Sequence, residues 1–306
     1  MGFGEQFLTE PALFPARLAG ATAGDHSLAV DVPGGPYLIQ GLSRSQLEAL
    51  SERYGERCLG SSALEASIAL EVFAALPNEF IGIDRTGWTN TLDFDYGEHA
   101  VRIAGDRVMA QIAWRPELTA ALWTPPEAGD GFLERFENCF RILVAYRLLE
   151  LGGVVLHSSG VVSAGKAWVF FGHSGAGKTT IARRSLSTGR TVLSDDINAL
   201  FIDDCVTYAA KMPFAGELGH TNERIGPFPL AALNRIEHAA TEWWRPLSTA
   251  QAVAALLSCA PFLNTDPYRL PRLMANLEAL ARGARTGALG FSLGGDIWAT
   301  LEAPST

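Results

Sequence analysis

The segment Gly172-His173-Ser174-Gly175-Ala176-Gly177-Lys178-Thr179-Thr180 constrains this chain more than any other. It spells Gly-x-x-x-x-Gly-Lys-Thr, follows the apolar, β-rich stretch Ala167-Trp168-Val169-Phe170-Phe171, and leads into Ile181-Ala182-Arg183-Arg184-Ser185-Leu186, which reads as a helix. Strand, glycine loop and helix in that order turn several backbone N–H groups toward one point without Cβ clashes, and the helix N-terminus adds partial positive charge. The result is a cradle for phosphate oxygens. Lys178 would reach the outer phosphates as a point charge, and the Thr179 hydroxyl would ligate Mg²⁺. The expected nucleotide contacts are Gly172, Ser174, Gly175, Ala176, Gly177, Lys178, Thr179 and Thr180, with ATP and Mg²⁺ as the ligands.

Such a site also needs an acidic group at a nearby strand end to hold the metal and its waters. Thr191-Val192-Leu193-Ser194 is an apolar strand ending in Asp195-Asp196, soon after the loop helix, so Thr179, Asp195 and Asp196 are the expected metal ligands. Asp203-Asp204, between Phe201-Ile202 and Val206, reads instead as a hairpin turn.

The block from His157 to Leu200 has the order His157-Ser158-Ser159-Gly160, hairpin, strand, glycine loop, helix, Asp195-Asp196. It resembles the C-terminal catalytic domain of HPr kinase/phosphorylase and, more distantly, is similar to the nucleotide site of ATP-dependent phosphoenolpyruvate carboxykinase. The resemblance implies an α/β core of that kinase type, a mixed sheet with flanking helices, over residues 129–306. A smaller, acidic α+β domain over residues 1–128 would precede it and bind substrate or partner. It further implies a γ-phosphate transferred from ATP to a hydroxyl, on a serine of a peptide or small protein or on a metabolite, and a tendency to form homo-oligomers. The second loop position, an aspartate in HPr kinases and there taken as the proton-accepting base, is His173 here. A histidine can be neutral near pH 7 and accept a proton, so the role can survive the change. His157, Asp195 and Asp196 are its rivals, and Lys178 completes the catalytic set. The glycine-rich Glu-x-Arg-Gly signature of HPr kinases is missing after Asp195-Asp196, which argues against HPr itself as acceptor. A nucleotide-binding regulatory protein without phosphotransfer is the alternative from another class, and a small-molecule kinase the alternative within it.

Further cations could clamp the transferring phosphoryl group: Lys211, in a stretch Tyr208–Glu217 that reads as a loop, Arg224, and more weakly Arg245, Arg269 and Arg272. Trp243-Trp244 reads as core packing. Elsewhere, Ser27–Val32 and Tyr37–Ile39 read as a strand pair around Pro33-Gly34-Gly35-Pro36. Ser43 reads as the N-cap of a helix, Phe132–Leu151 as a long helix, and Thr249–Leu257 and Leu273–Arg282 as helices. The ends Leu289–Leu293 and Ile297–Leu301 read as a closing hairpin.

Composition enters through its distribution. The chain of 306 residues carries a net charge of −9, which argues against broad binding to nucleic acid or anionic membrane. Residues 1–128 hold 8 Arg against 17 Asp and Glu, a net −9, whereas residues 129–306 hold 16 of each sign and all three lysines. The half with the phosphate loop is neutral. Four spaced cysteines without a CxxC pair read as buried small hydrophobes in a reducing, cytoplasmic setting, and no apolar run is long enough to span a bilayer. An acidic N-terminal half predicts a basic acceptor surface. Acceptor affinity is then expected to fall as salt is raised in a titration, and a salt-independent affinity would discard this expectation.

Overall fold

The computed structural model describes Thr9 and residues 21–60, 68–80, 92–114, 117–129, 131–214, 216–219, 223, 225–292 and 294–302. The fold is mixed α/β, with two large mixed sheets and few helices. The chain divides into two compact units, Met1–Arg147 and Leu148–Thr306, a boundary that lies inside a helix rather than at the Pro/Gly stretch before residue 129.

In the first unit eight strands form one sheet: β1 (His26–Val30), β2 (Tyr37–Leu42), β3 (Cys58–Leu59), β4 (Ile68–Ala74), β5 (Asp93–Tyr96), β6 (Ala100–Gly105), β7 (Val108–Trp114) and β8 (Leu118–Thr124). Their order is β3-β1-β2-β4-β8-β7-β6-β5, with β4 parallel to both β2 and β8. The pair expected around Pro33–Pro36 is β1 and β2, antiparallel. Helix α1 (Arg44–Tyr54) begins at Ser43, whose hydroxyl accepts from the Gln46 amide while the Gln46 side chain accepts from the Ser43 amide, a reciprocal cap. Helix α2 (Phe132–Glu150) buries Phe136 and Phe140, and the Phe140 ring meets the edges of Tyr37 and Tyr54.

The second unit is built around one long strand. The apolar runs Val154–His157 and Val161-Val162 are a single element, β9 (Val154–Ser163), followed by β10 (Lys166–Phe171), α3 (Lys178–Ser187), β11 (Thr191–Ser194), β12 (Ile197–Asp203), β13 (Val206–Lys211), β14 (Phe228–His238) and β15 (Trp243–Pro246). Helices α4 (Thr249–Leu257) and α5 (Leu270–Gly283), strand β16 (Arg285–Phe291) and helix α6 (Ile297–Glu302) complete it. β9 pairs antiparallel with β10, β11 and β12, while β14 lies parallel to β10 and β16. With β12 on β13 and β13 on β14, the pairings close a circuit through β9, β10, β14, β13 and β12. One face of β10 and β16 contributes the alternate residues Trp168, Phe170, Leu289 and Phe291 to a core that also takes Ile181 of α3 and Trp298 of α6. This core seats the helix that follows the glycine loop.

Several expectations change. Ile297–Glu302 is a helix, so the last segment is not a hairpin; Asp296 caps it by accepting from the Trp298 amide. Tyr208–Lys211 is strand β13, not loop. The Asp203-Asp204 turn is as expected, and Asp204 and Cys205 both have positive φ (44° and 64°), the two-residue turn that matches strand twist. Cys205 is accordingly exposed, unlike buried Cys139, whose thiol burial pushes up to about 12. Trp243 and Trp244 lie half-buried on edge strand β15, their rings filling the space above Gly290 and Gly287. No described helix is long and apolar enough to cross a membrane.

Arg53 of α1 and Glu137 of α2 form a buried ion pair, Nε to Oε1 2.6 Å. Burial raises the Glu137 carboxyl above its ordinary range, and Arg53 and Arg141 pull it back. Arg53→Met is expected to destabilise the protein by about 3–5 kcal/mol at neutral pH. The loss should shrink as pH falls, because the native state holds the Glu137 proton more tightly than the unfolded chain. Urea titrations of both proteins across pH check this, and a pH-independent difference would contradict it.

Candidate active site around the glycine loop

The β9 register assembles the site. Phe171, the last residue of β10, sits opposite Ser158, and Ile197, the first of β12, sits opposite His157. The Ser158 amide donates to the Asp196 carbonyl at 2.8 Å. His157, the start of the glycine loop and the Asp195-Asp196 turn therefore arrive at one place. His157, Asp195 and Asp196 line a cavity of about 290 Å³ together with Ser174, Gly175, Gly177, Lys178, Thr179 and Thr180, whereas Gly172 and Ala176 do not line it.

The loop has the backbone its glycines permit. Gly177 stands immediately before α3 with φ 105°, and a Cβ there would lie 2.9 Å from the Phe291 ring. Lys178 is buried, and its Nζ donates to the carbonyls of Gly172 at 2.9 Å and His173 at 3.1 Å. Burial lowers its pKa, opposed by Cys259 and Asp196. Among the described residues its hydrogen bonds go to neutral carbonyls, which satisfy donors without cancelling its charge.

The acidic turn is fixed from within. The Ser194 hydroxyl accepts from the amides of Asp196 and Ile197 at 3.1 and 3.2 Å. Asp195 is 5% exposed; its Oδ1 accepts from the Leu218 amide at 3.4 Å, whereas its buried Oδ2 has no hydrogen-bond partner among the described residues. Gly216 passes so close that a Cβ would stand 2.2 Å from Asp195 Oδ1. His157 Nδ1 lies 3.2 Å from Asp196 Oδ1, and its backbone amide donates to the Cys259 carbonyl at 2.7 Å. No set of three or more His, Cys, Asp or Glu among the described residues could hold a metal by itself. The orphaned Asp195 Oδ2 nevertheless fits Mg²⁺, which typically takes one or two carboxylates and completes its shell with phosphate and water.

The remaining candidates separate. His173 is exposed, with Nδ1 2.6 Å from the Ser174 carbonyl, and does not line the cavity. Lys211 is buried in a second cavity that also touches Asp195. Arg245 pairs with Glu237, Arg269 with Asp266, and Arg272 donates to the Glu150 carbonyl. Arg224 lies outside the described residues. Sequence reasoning missed Arg183 and Glu217, which line the phosphate-loop cavity and pair at 3.4 Å. For Arg183 a signal existed: it is four residues after Thr179 and so on the same helix face. No protein-family model matches the chain, and no curated protein matches it.

Gly177→Ala combines a left-handed backbone with the Phe291 contact. Thermal unfolding is expected to show a loss of about 1–3 kcal/mol, whereas Gly175→Ala, with open space above it but φ 79°, should show only the backbone part.

Proposed function

We propose that this protein is an ATP- and Mg²⁺-dependent phosphotransferase that acts on a hydroxyl, with a serine of a peptide or small protein as the acceptor. The single observation that carries the reading is the close His157–Asp196 pair, Nδ1 to Oδ1 3.2 Å, in the wall of the cavity that holds Lys178 and the loop N–H groups. A phosphate cradle explains binding; a histidine–carboxylate pair beside it supplies the proton acceptor that transfer needs.

The loop N–H groups and Lys178 bind and orient the phosphates. Nucleotide entry gives the ammonium charged oxygens in place of the Gly172 and His173 carbonyls. Thr179, Asp195 and Asp196 would hold Mg²⁺, which supplies charge neutralisation on the phosphates. Asp196 at Nδ1 favours the tautomer with its proton there, leaving His157 Nε2 as the accepting nitrogen. The acceptor oxygen then bonds to the γ-phosphorus as the bond from that phosphorus to the ADP oxygen breaks, and the hydroxyl proton passes to His157 Nε2. Asp196 stabilises the imidazolium so formed. His173 drops out of this chemistry because it lies outside the cavity wall. That same position favours the second reading, a nucleotide-binding regulator without transfer.

Transfer of labelled phosphate from ATP to serine-containing peptides separates the two. Lys178→Ala, His157→Ala and Asp196→Asn are each expected to lower transfer by about 10²-fold or more, and His173→Ala to leave it within about threefold. Unchanged transfer in both His157→Ala and Asp196→Asn would refute this mechanism. Tight ATP binding with no transfer to any acceptor would leave the regulatory reading.

A further inference from the structure

A second cavity, of about 340 Å³, is touched by Thr191, Val192, Leu193, Ser194 and Asp195 in unbroken succession. Side chains of a strand alternate between faces, so a cavity that touches five consecutive residues runs along the strand's edge rather than over one face. Strand β11 supplies the first four of these, and among the described residues its ladder is with β9 alone. The facing wall is mixed: Leu186 near the end of α3 and Met212, Phe214 and Leu218 beyond β13 are apolar, with buried Lys211 and exposed Glu223 among them. Asp195, buried and with Oδ2 unpartnered, lines both this cavity and the one at the phosphate loop.

We propose that the open edge of β11 binds an extended segment of the acceptor polypeptide as an added strand, delivering a serine or threonine hydroxyl past Asp195 to the phosphate loop. The delivery rests on the phosphotransfer reading; the docking does not. An unpaired strand edge offers N–H and C=O groups at the strand repeat, and another main chain matches that spacing along its length. A small metabolite would occupy the cavity and leave those groups to water. Four residues at about 3.3 Å each give roughly 13 Å of edge, enough for two or three main-chain hydrogen bonds. The apolar part of the wall supplies the specificity. It calls for an apolar acceptor residue two positions from the hydroxyl-bearing one, where side chains return to the same face.

The test uses the full chain without nucleotide. Labelled peptides of about ten residues, with a central serine and varied apolar neighbours, are titrated by fluorescence anisotropy, and those that bind are N-methylated one backbone nitrogen at a time. Added-strand binding is expected to fall about tenfold or more when nitrogens of one parity are methylated and to be indifferent at the other. Leu186→Glu, at a leucine 48% exposed and so tolerant of substitution, should weaken binding about tenfold. Absence of binding by any peptide in the set overturns the proposal, as does binding without parity. Parity-dependent binding with no phosphate transfer keeps the docking edge and removes the kinase reading. Transfer to a small alcohol that bound peptides do not inhibit overturns the delivery to the phosphate loop and keeps the kinase.

Discussion

β9 is hydrogen-bonded to β12 over its first half and to β10 and β11 over its second, and the second unit depends on that sharing. Seven of its ten residues are buried, so a slip of one position would turn every side chain to the opposite face and change which of them fill the core. The register is therefore fixed by burial. Once fixed, it determines the chemistry: His157 is set beside the first residue of β12, the loop leaves β10 one pair further along, and the acidic turn joins β11 to β12 at the same level.

Within that frame the loop lysine and the two aspartates occupy different electrostatic surroundings. Lys178 is buried with carbonyl dipoles for company, which satisfies its donors without neutralising its charge. Asp195 is buried with one oxygen satisfied and one not, while Asp196 holds an imidazole. A cation, an anion and a proton can each lower the energy of one of these groups. Short-range burial, rather than net charge, creates this demand, since the half of the sequence concerned is electrically balanced.

Much of the site was readable because it is local. The glycine loop, Lys178, Thr179 and the Asp195-Asp196 strand end lie within one strand–helix–strand stretch, where spacing alone constrains position. His157 was readable through order along the chain. Which of His157 and His173 lines the cavity was not, because exposure depends on which way the loop turns; nor was Glu217, which reaches the cavity from a segment beyond β13. In the fold, the capped helix α1 declared itself through Ser43, and the Ser248 cap of α4 was found in the structure. Ile297–Glu302 did not, because an apolar run that short fits strand or helix equally, and its burial against Phe170 and Trp168 decides. Lys211 looked like a loop cation because Met212-Pro213 follows it, yet pairing with Asn198 makes it the end of a strand.

The indole rings over Gly287 and Gly290 govern what the outer strand of the sheet can become. Because each ring occupies the volume a Cβ would need, β16 accepts no larger residue at those positions while β15 remains attached. The two strands are thus mutually obligate, and β15 ends in Pro246, which has no N–H to offer a neighbouring molecule. Arg245 stands exposed beside it, tied to Glu237. A proline and an exposed charge are the features that weaken a strand edge as a template for further chains.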